Sequence, residues 1–201
     1  MNKIILKLCP VLLLFILISA GCKEDDIFEL KIGDENAVIL KEVNGIEFKF
    51  CLLNEQGEPS TVFEEGENFS FQFVIRNNKE ESLPFFDTGF LKLKDFFAVN
   101  SKSKYFGKPY LYDLSTDSNL YTYPIIHWLQ ADSISTFTDT WINDSKDRLE
   151  IEGKSIFPLN SPLGKGLYYS GFTYNFTFGF QDKNPVYESG KLTFKINFEI
   201  K

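Results

Sequence analysis

Cysteine, histidine and long apolar runs are what this chain has least of. Its 201 residues include three Cys and one His. A zinc centre draws on several Cys or His ligands, so the count excludes one. General acid–base and nucleophilic mechanisms rest most often on a positioned His. The sole one, His127, lies in Pro124-Ile125-Ile126-His127-Trp128-Leu129 and reads as a structural residue of an apolar strand. No acid or nucleophile stands at a recognisable spacing from it. There is no Gly-rich loop of the kind that cradles phosphates. Beyond residue 18 no apolar run approaches the roughly 20 residues that a membrane-spanning helix needs. Positive charge is also in deficit, with 28 acidic against 21 basic side chains and a net charge of −7. Such a chain repels a phosphate backbone, which argues against a nucleic-acid partner. The expectation is a protein that is not an enzyme, with no cofactor and no metal. The carboxylate pair of a glycosidase is assembled only by folding, so the sequence does not exclude that device.

What the chain does have begins at its N-terminus. Lys3 and Lys7 supply a positive segment, and Leu8 to Ile18 supply an apolar run too short to span a bilayer, as in a signal peptide. Ser19, Ala20 and Gly21 then precede Cys22. The run Ile18-Ser19-Ala20-Gly21-Cys22 resembles a bacterial lipobox in the relaxed form of the Bacteroidota, with Ser19 where Leu is usual. That resemblance implies cleavage before Cys22, diacylglycerol on its thiol, and a lipid anchor in the outer membrane. Each buried CH₂ contributes about 0.8 kcal/mol, so two or more acyl chains hold stably. Residues 1–21 are then the signal peptide and residues 22–27 an acidic tether, solvated because of its charge. Lys23, Glu24, Asp25 and Asp26 also resemble the Lys-plus-acidic signal that sends Bacteroidota lipoproteins to the cell exterior. With Cys9 removed and Cys22 acylated, Cys51 stands alone. No intrachain disulfide is then possible, and the fold must rest on its core.

That core is foreshadowed by 22 Phe against very few Ala, a balance that favours strands over helices. Ile46, Phe48, Phe50 and Leu52 alternate with Glu47, Lys49 and Cys51, which puts Cys51 on the polar face. Phe69, Phe71, Phe73 and Ile75 alternate with Ser70, Gln72 and Arg76. A third strand starts at Leu91 and Leu93, and Leu149 and Ile151 mark another. Phe172, Tyr174, Phe176, Phe178 and Phe180 share one face of a later strand, and Leu192 to Ile200 form the last. One-sided alternation of this kind predicts antiparallel sheets with one solvated face, and several such strands predict two sheets packed together. Residues 28–201 are therefore expected to form one β-sandwich, its segment from about 100 to 147 an elaboration without clean period.

Candidate sites are few. Asp113, Asp117 and Asn119, or Asn143, Asp144 and Asp147, carry oxygens suited to Ca²⁺, but neither set has the ligand alternation and central Gly of a calcium loop. Turns use the same residues for ordinary hydrogen bonds. Asn68-Phe69-Ser70 and Asn175-Phe176-Thr177 match the N-glycosylation pattern, yet both fall in predicted strands. Asp132-Ser133-Ile134 resembles the O-glycosylation tripeptide of exported Bacteroidota proteins, with Ser133 as acceptor. Between Tyr105 and Trp141, Tyr and Trp occur off-period among polar residues, and these side chains join a broad apolar face to a polar handle. Tyr121, Tyr123 and Trp128 are the named candidates for a binding surface.

Two stretches carry a further resemblance. Phe69-Ser70-Phe71-Gln72-Phe73-Val74-Ile75-Arg76-Asn77-Asn78 resembles the strand of immunoglobulin-like domains in which apolar alternation ends in Asn. Pro162-Leu163-Gly164-Lys165-Gly166-Leu167-Tyr168-Tyr169 is similar to their Gly-x-Tyr entry into the penultimate strand. Within that group the chain is most similar to bacterial domains resembling intracellular proteinase inhibitors. The fold class expected is thus an all-β, antiparallel immunoglobulin-like sandwich. The function expected is a surface-displayed binding or adhesion module for a glycan or protein ligand. A proteinase inhibitor and a structural subunit of an envelope assembly are the alternatives.

Overall fold

Alternation of Phe with outward, mostly polar residues builds the centre of the molecule. The computed structural model describes residues 27–87, 97–109, 111–113, 125–147, 156–158, 160–179 and 187–201. The lipobox, the tether and the expected strands at Leu91 and Leu149 lie outside them. The chain runs through β1 (Ile27–Leu30), β2 (Val38–Val43), β3 (Ile46–Leu53), β4 (Val62–Phe63), β5 (Phe69–Asn77) and β6 (Leu83–Asp87). It continues through β7 (Val99–Asn100), β8 (Tyr105–Gly107), β9 (Leu111–Asp113), β10 (Ile125–Leu129) and β11 (Ile134–Trp141). Three strands close it: β12 (Ile156–Pro158), β13 (Gly166–Gly179) and β14 (Tyr187–Ile200). β1 already includes Ile27, which pairs with Thr193.

Two sheets face one another. The first is ordered β11-β5-β3-β2, antiparallel throughout. Its β2–β3 hairpin closes on Asn44-Gly45, both at positive φ (45° and 79°), as the two-residue turn that matches strand twist requires. The second sheet is built on the long β13–β14 hairpin, 14 residues a side. β1 and β4 share the outer edge of β14, both parallel to it. β13 pairs with β7 at one end and with β6 at the other, and β10 lies beyond β6. β9 and β12 form a separate pair.

Read as A, B, C, C′, E, F and G, strands β3, β5, β6, β10, β11, β13 and β14 give sheets A-B-E and C′-C-F-G. That is an immunoglobulin-like β-sandwich. β4, between A and B, crosses to the second sheet to pair with the final strand. The two sequence stretches that resembled this fold carry its pins. Asn77 is fully buried. Its amide donates to the carbonyls of Glu81 (2.9 Å), Leu129 (3.2 Å) and Gln130 (3.0 Å), and its Oδ1 accepts from the Lys79 N–H (3.0 Å). One side chain thus ties the β5–β6 turn to the β10–β11 turn. Tyr168 donates its hydroxyl to the Gly164 carbonyl at 2.7 Å, a tyrosine corner at the start of the penultimate strand.

The core between the sheets is aromatic. Phe50 packs on Phe172, and Phe48 on Phe176, each with ring centroids 5.0 Å apart. Phe73 meets Phe172, Tyr174 and Phe194 edge-on, the geometry that ring quadrupoles prefer. Phe172, Tyr174, Phe176 and Phe178 are buried, as the alternation predicts; Phe180 lies outside the described residues. Phe176 faces Gly190 across the hairpin, and a Cβ at Gly190 would run into its ring.

One expectation is corrected and another is sharpened. Trp141 belongs to the core, not to a binding surface: it is fully buried and stacks on Phe69 at 6.0 Å. It ends β11 opposite Phe69, so it is in phase with that strand although no alternation announces it. Cys51 keeps its outward position between Val38 and Gln72, yet it is completely buried. Burial pushes its thiol pKa up, which makes it less reactive than a free thiol.

Candidate functional site

The outer face of the second sheet holds the most distinctive surface. Tyr168, Phe172, Tyr174 and Phe176 occupy the inward parity of β13, so Leu167 and Tyr169 fall on the outward one. Leu167 is 62% exposed and Ile32, on the turn after β1, is 36% exposed. With Tyr169 they wall a cleft of about 400 Å³ whose charged lining is Glu29, Lys31, Lys102 and Lys195. Its volume is within the range of small-ligand sites, about 300–1,000 Å³.

Strand register explains why these residues meet. Glu29 on β1 pairs with Lys195 on β14, Asn197 pairs with Tyr169 on β13, and Tyr169 pairs with Asn100 on β7. Asn100 in turn pairs with Tyr105 on β8. Tyr105 is 54% exposed and lies two strands, roughly 10 Å, from Tyr169. Glu29 organises one wall. Its Oε1 accepts from Lys195 Nζ at 2.7 Å and from the Asn197 amide at 2.9 Å. The Lys195 bond, then that of Asn197, hold its carboxyl pKa below the usual value. Asn197 also donates to the Leu30 carbonyl, and Lys195 Nζ stands 5.5 Å from the centre of the Tyr169 ring. The ammonium groups of Lys31 and Lys102 form no ion pair with a carboxylate among the described residues, while the Asp34 carboxylate accepts from the Lys31 backbone N–H at 2.8 Å.

A second cleft, also of about 400 Å³, is lined by Leu53, Asn54, Glu55, Asn68, Ser70, Thr138 and Thr140. Several of its polar groups are already engaged within the fold. Ser70 and Thr140 hydroxyls are 2.9 Å apart, and Asn54 Oδ1 accepts from the Glu58 N–H at 2.8 Å. Asn68 Oδ1 accepts from the Asn143 and Asp144 N–H groups at 2.7 and 2.9 Å. Asn68, just before β5, therefore anchors the turn that follows β11, while Asn175, in the other glycosylation pattern, is exposed on β13.

The oxygens of Asn143, Asp144 and Asp147 are taken up in hydrogen bonds within the fold, one local and two between distant segments. Asn143 Oδ1 accepts from the Leu163 N–H (2.6 Å), Asp144 Oδ1 from the Lys146 N–H (2.6 Å), and Asp147 Oδ2 from the Asn68 amide. Among the described residues no group of three or more His, Cys, Asp or Glu is placed to hold a metal ion. Asp117 and Asn119 lie outside those residues.

Ser133 sits half-buried in the turn between β10 and β11, after Asp132 at a positive φ of 53°. Its N–H donates to the Gln130 carbonyl (3.2 Å) and its carbonyl accepts from the Asn77 N–H (2.9 Å). Ile134 beside it is exposed. Trp128 is 46% exposed and lies opposite Pro84 in the pairing of β10 with β6. It stands at the far end of β13 from Tyr169, so the two aromatics do not form one site. His127 pairs with Phe85 in the same ladder. Tyr121 and Tyr123 lie outside the described residues, as do Cys22, Lys23, Glu24, Asp25 and Asp26.

Sequence reasoning passed over Tyr169, although a signal existed. Counting parity back from Phe172 places Leu167 and Tyr169 on the face otherwise occupied by Thr173, Asn175 and Thr177. Nothing in the sequence, however, brings Glu29, Lys31 or Lys102 to them. No protein-family model, curated protein or solved structure matches the chain.

Proposed function

We propose that this chain is a lipid-anchored, non-enzymatic binding module displayed at the outer surface of the outer membrane, taking a glycan or protein ligand. The observation that supports it best is the open cleft of Tyr169, Leu167 and Ile32 on the outer face of the second sheet. There an apolar wall meets Lys31 and Lys102, whose ammonium groups make no ion pair among the described residues, on an otherwise acidic chain. A half-buried aromatic beside exposed aliphatic groups supplies apolar contact area, and a few polar groups fix orientation. Trp128 is a separate exposed aromatic on the same sheet. The lipobox at Ile18–Cys22 supports the anchor, and Lys23 to Asp26 support display at the exterior.

Two experiments test the reading. A glycan and matrix-protein array probed with the purified chain should return a defined ligand whose binding is lost on Tyr169→Ala or Trp128→Ala. Retention by both variants would remove these surfaces from the ligand site. Cys22→Ala should leave a larger, unprocessed precursor that takes up no labelled palmitate. A variant that matures and labels normally would end the lipoprotein reading.

A further inference from the structure

We propose that the cleft between β1, β13 and β14 selects an acidic carbohydrate, a ring sugar bearing a carboxylate or a sulfate ester. This rests on the binding-module reading and names its ligand class. The first ground is charge. The chain as a whole is acidic, at −7, but this cleft gathers Lys31, Lys102 and Lys195 against one Glu29. Two positive charges are left over in a concavity, where low-dielectric walls focus the field on an incoming anion.

The second ground is which lysines are free. Glu29 engages Lys195 at 2.7 Å, so this pair is a fixed part of the wall. Lys31 and Lys102 stand on exposed turns, after β1 and between β7 and β8. The Asp34 carboxylate accepts from the Lys31 backbone N–H at 2.8 Å, but the ammonium group of neither lysine is in an ion pair among the described residues. Paired with a ligand anion they would form charge-assisted hydrogen bonds, roughly twice as strong as neutral ones.

The third ground is the shape of the polarity. A sugar ring presents apolar C–H faces and a rim of hydroxyls. Leu167, Ile32 and the Tyr169 ring match the faces, and the Glu29 carboxylate and Tyr169 hydroxyl match the rim. Glu29 also decides against a densely charged phosphate cluster, which would meet a carboxylate inside the site. One charge per ring, flanked by hydroxyl donors, suits the balance of the cleft.

The test uses the full-length chain purified in detergent and titration calorimetry in 0.1 M salt. The probes are a galacturonate tetramer, with one carboxylate per ring, a heparin-derived tetrasaccharide, with sulfate esters, and neutral cellotetraose. At least one anionic probe should bind tenfold or more tighter than cellotetraose and weaken severalfold in 0.5 M salt, as screening requires. The anion bound identifies carboxylate or sulfate as the recognised group. The Lys31→Ala, Lys102→Ala double variant should lose about tenfold or more, and Tyr169→Ser likewise, both with wild-type melting temperatures. Lys191→Ala, on β14 but outside the cleft, should change nothing. Equal affinity for cellotetraose or full affinity in the double variant would overturn the proposal. A neutral-glycan or matrix-protein ligand from the array would overturn it while leaving the binding-module reading intact. Binding to no probe or array ligand would remove both.

Discussion

Replacing Asn77 with Ala should cost about 3 kcal/mol, and its four side-chain hydrogen bonds show where that figure arises. The residue is wholly buried, and its two amide hydrogens are shared among three carbonyls. After truncation the Glu81 and Gln130 carbonyls regain water, since both residues are exposed. Each of those bonds then contributes only its net value, about 0.5–1.5 kcal/mol at most. The Leu129 carbonyl belongs to a buried residue and is left stranded, at about 1–3 kcal/mol. Loss of the Lys79 N–H bond adds a few tenths. Asn77→Asp separates the polar from the steric effect. It keeps an acceptor for Lys79 but turns a carboxylate toward three carbonyl oxygens in a buried site. Its folded pKa must then lie above the unfolded value of about 3.9. The penalty is therefore smallest below that value and grows as pH rises through it. Asn77→Asp should be less stable than Asn77→Ala at pH 7 and should recover toward it at pH 4. Urea unfolding followed by fluorescence reads both, because buried Trp141 reports loss of the core. A loss below about 1 kcal/mol for Asn77→Ala, or an Asp variant indifferent to pH, would refute the role given to this side chain.

Phe176→Ala should cost about 3–5 kcal/mol, measured by the same unfolding assay, because the ring is buried against Phe48 and Phe178. Tyr168→Phe keeps the stacking on Phe198 and removes only the bond to the Gly164 carbonyl, so the loss should be about 1 kcal/mol. Cys51 should react with a thiol reagent only in denaturant, given its burial and raised pKa; rapid labelling of the native chain would contradict its position. The Glu29–Lys195 pair is exposed, so Glu29→Gln should change stability by less than about 1 kcal/mol. What that pair contributes should be present above the unfolded carboxyl pKa of about 4.3 and be lost as pH falls through the depressed folded value.

The architecture was legible in the chain because a two-residue period has one physical solution. Phe69-Phe71-Phe73 and Phe194-Ile196-Phe198 must each bury one face, and two such faces satisfy each other in a sandwich. Asn77 and Tyr168 were legible as motifs, since each makes bonds to backbone close in sequence: Lys79 and Glu81 for the first, Gly164 for the second. The blurred stretch from 100 to 147 was not. Trp141 has only one residue of alternation to declare its side, and its burial is decided by Phe69 and Phe71 on a neighbouring strand. Cys51 fell on the expected face, but parity reports direction and not burial. The cleft belonged entirely to tertiary structure. Glu29 and Lys195 are 166 positions apart, and only the parallel docking of β1 on β14 makes them partners. Composition and alternation by themselves determined an all-β, aromatic-cored protein. Which of its outward residues converge into a cationic cleft was decided by strand order and register, quantities that no local pattern encodes.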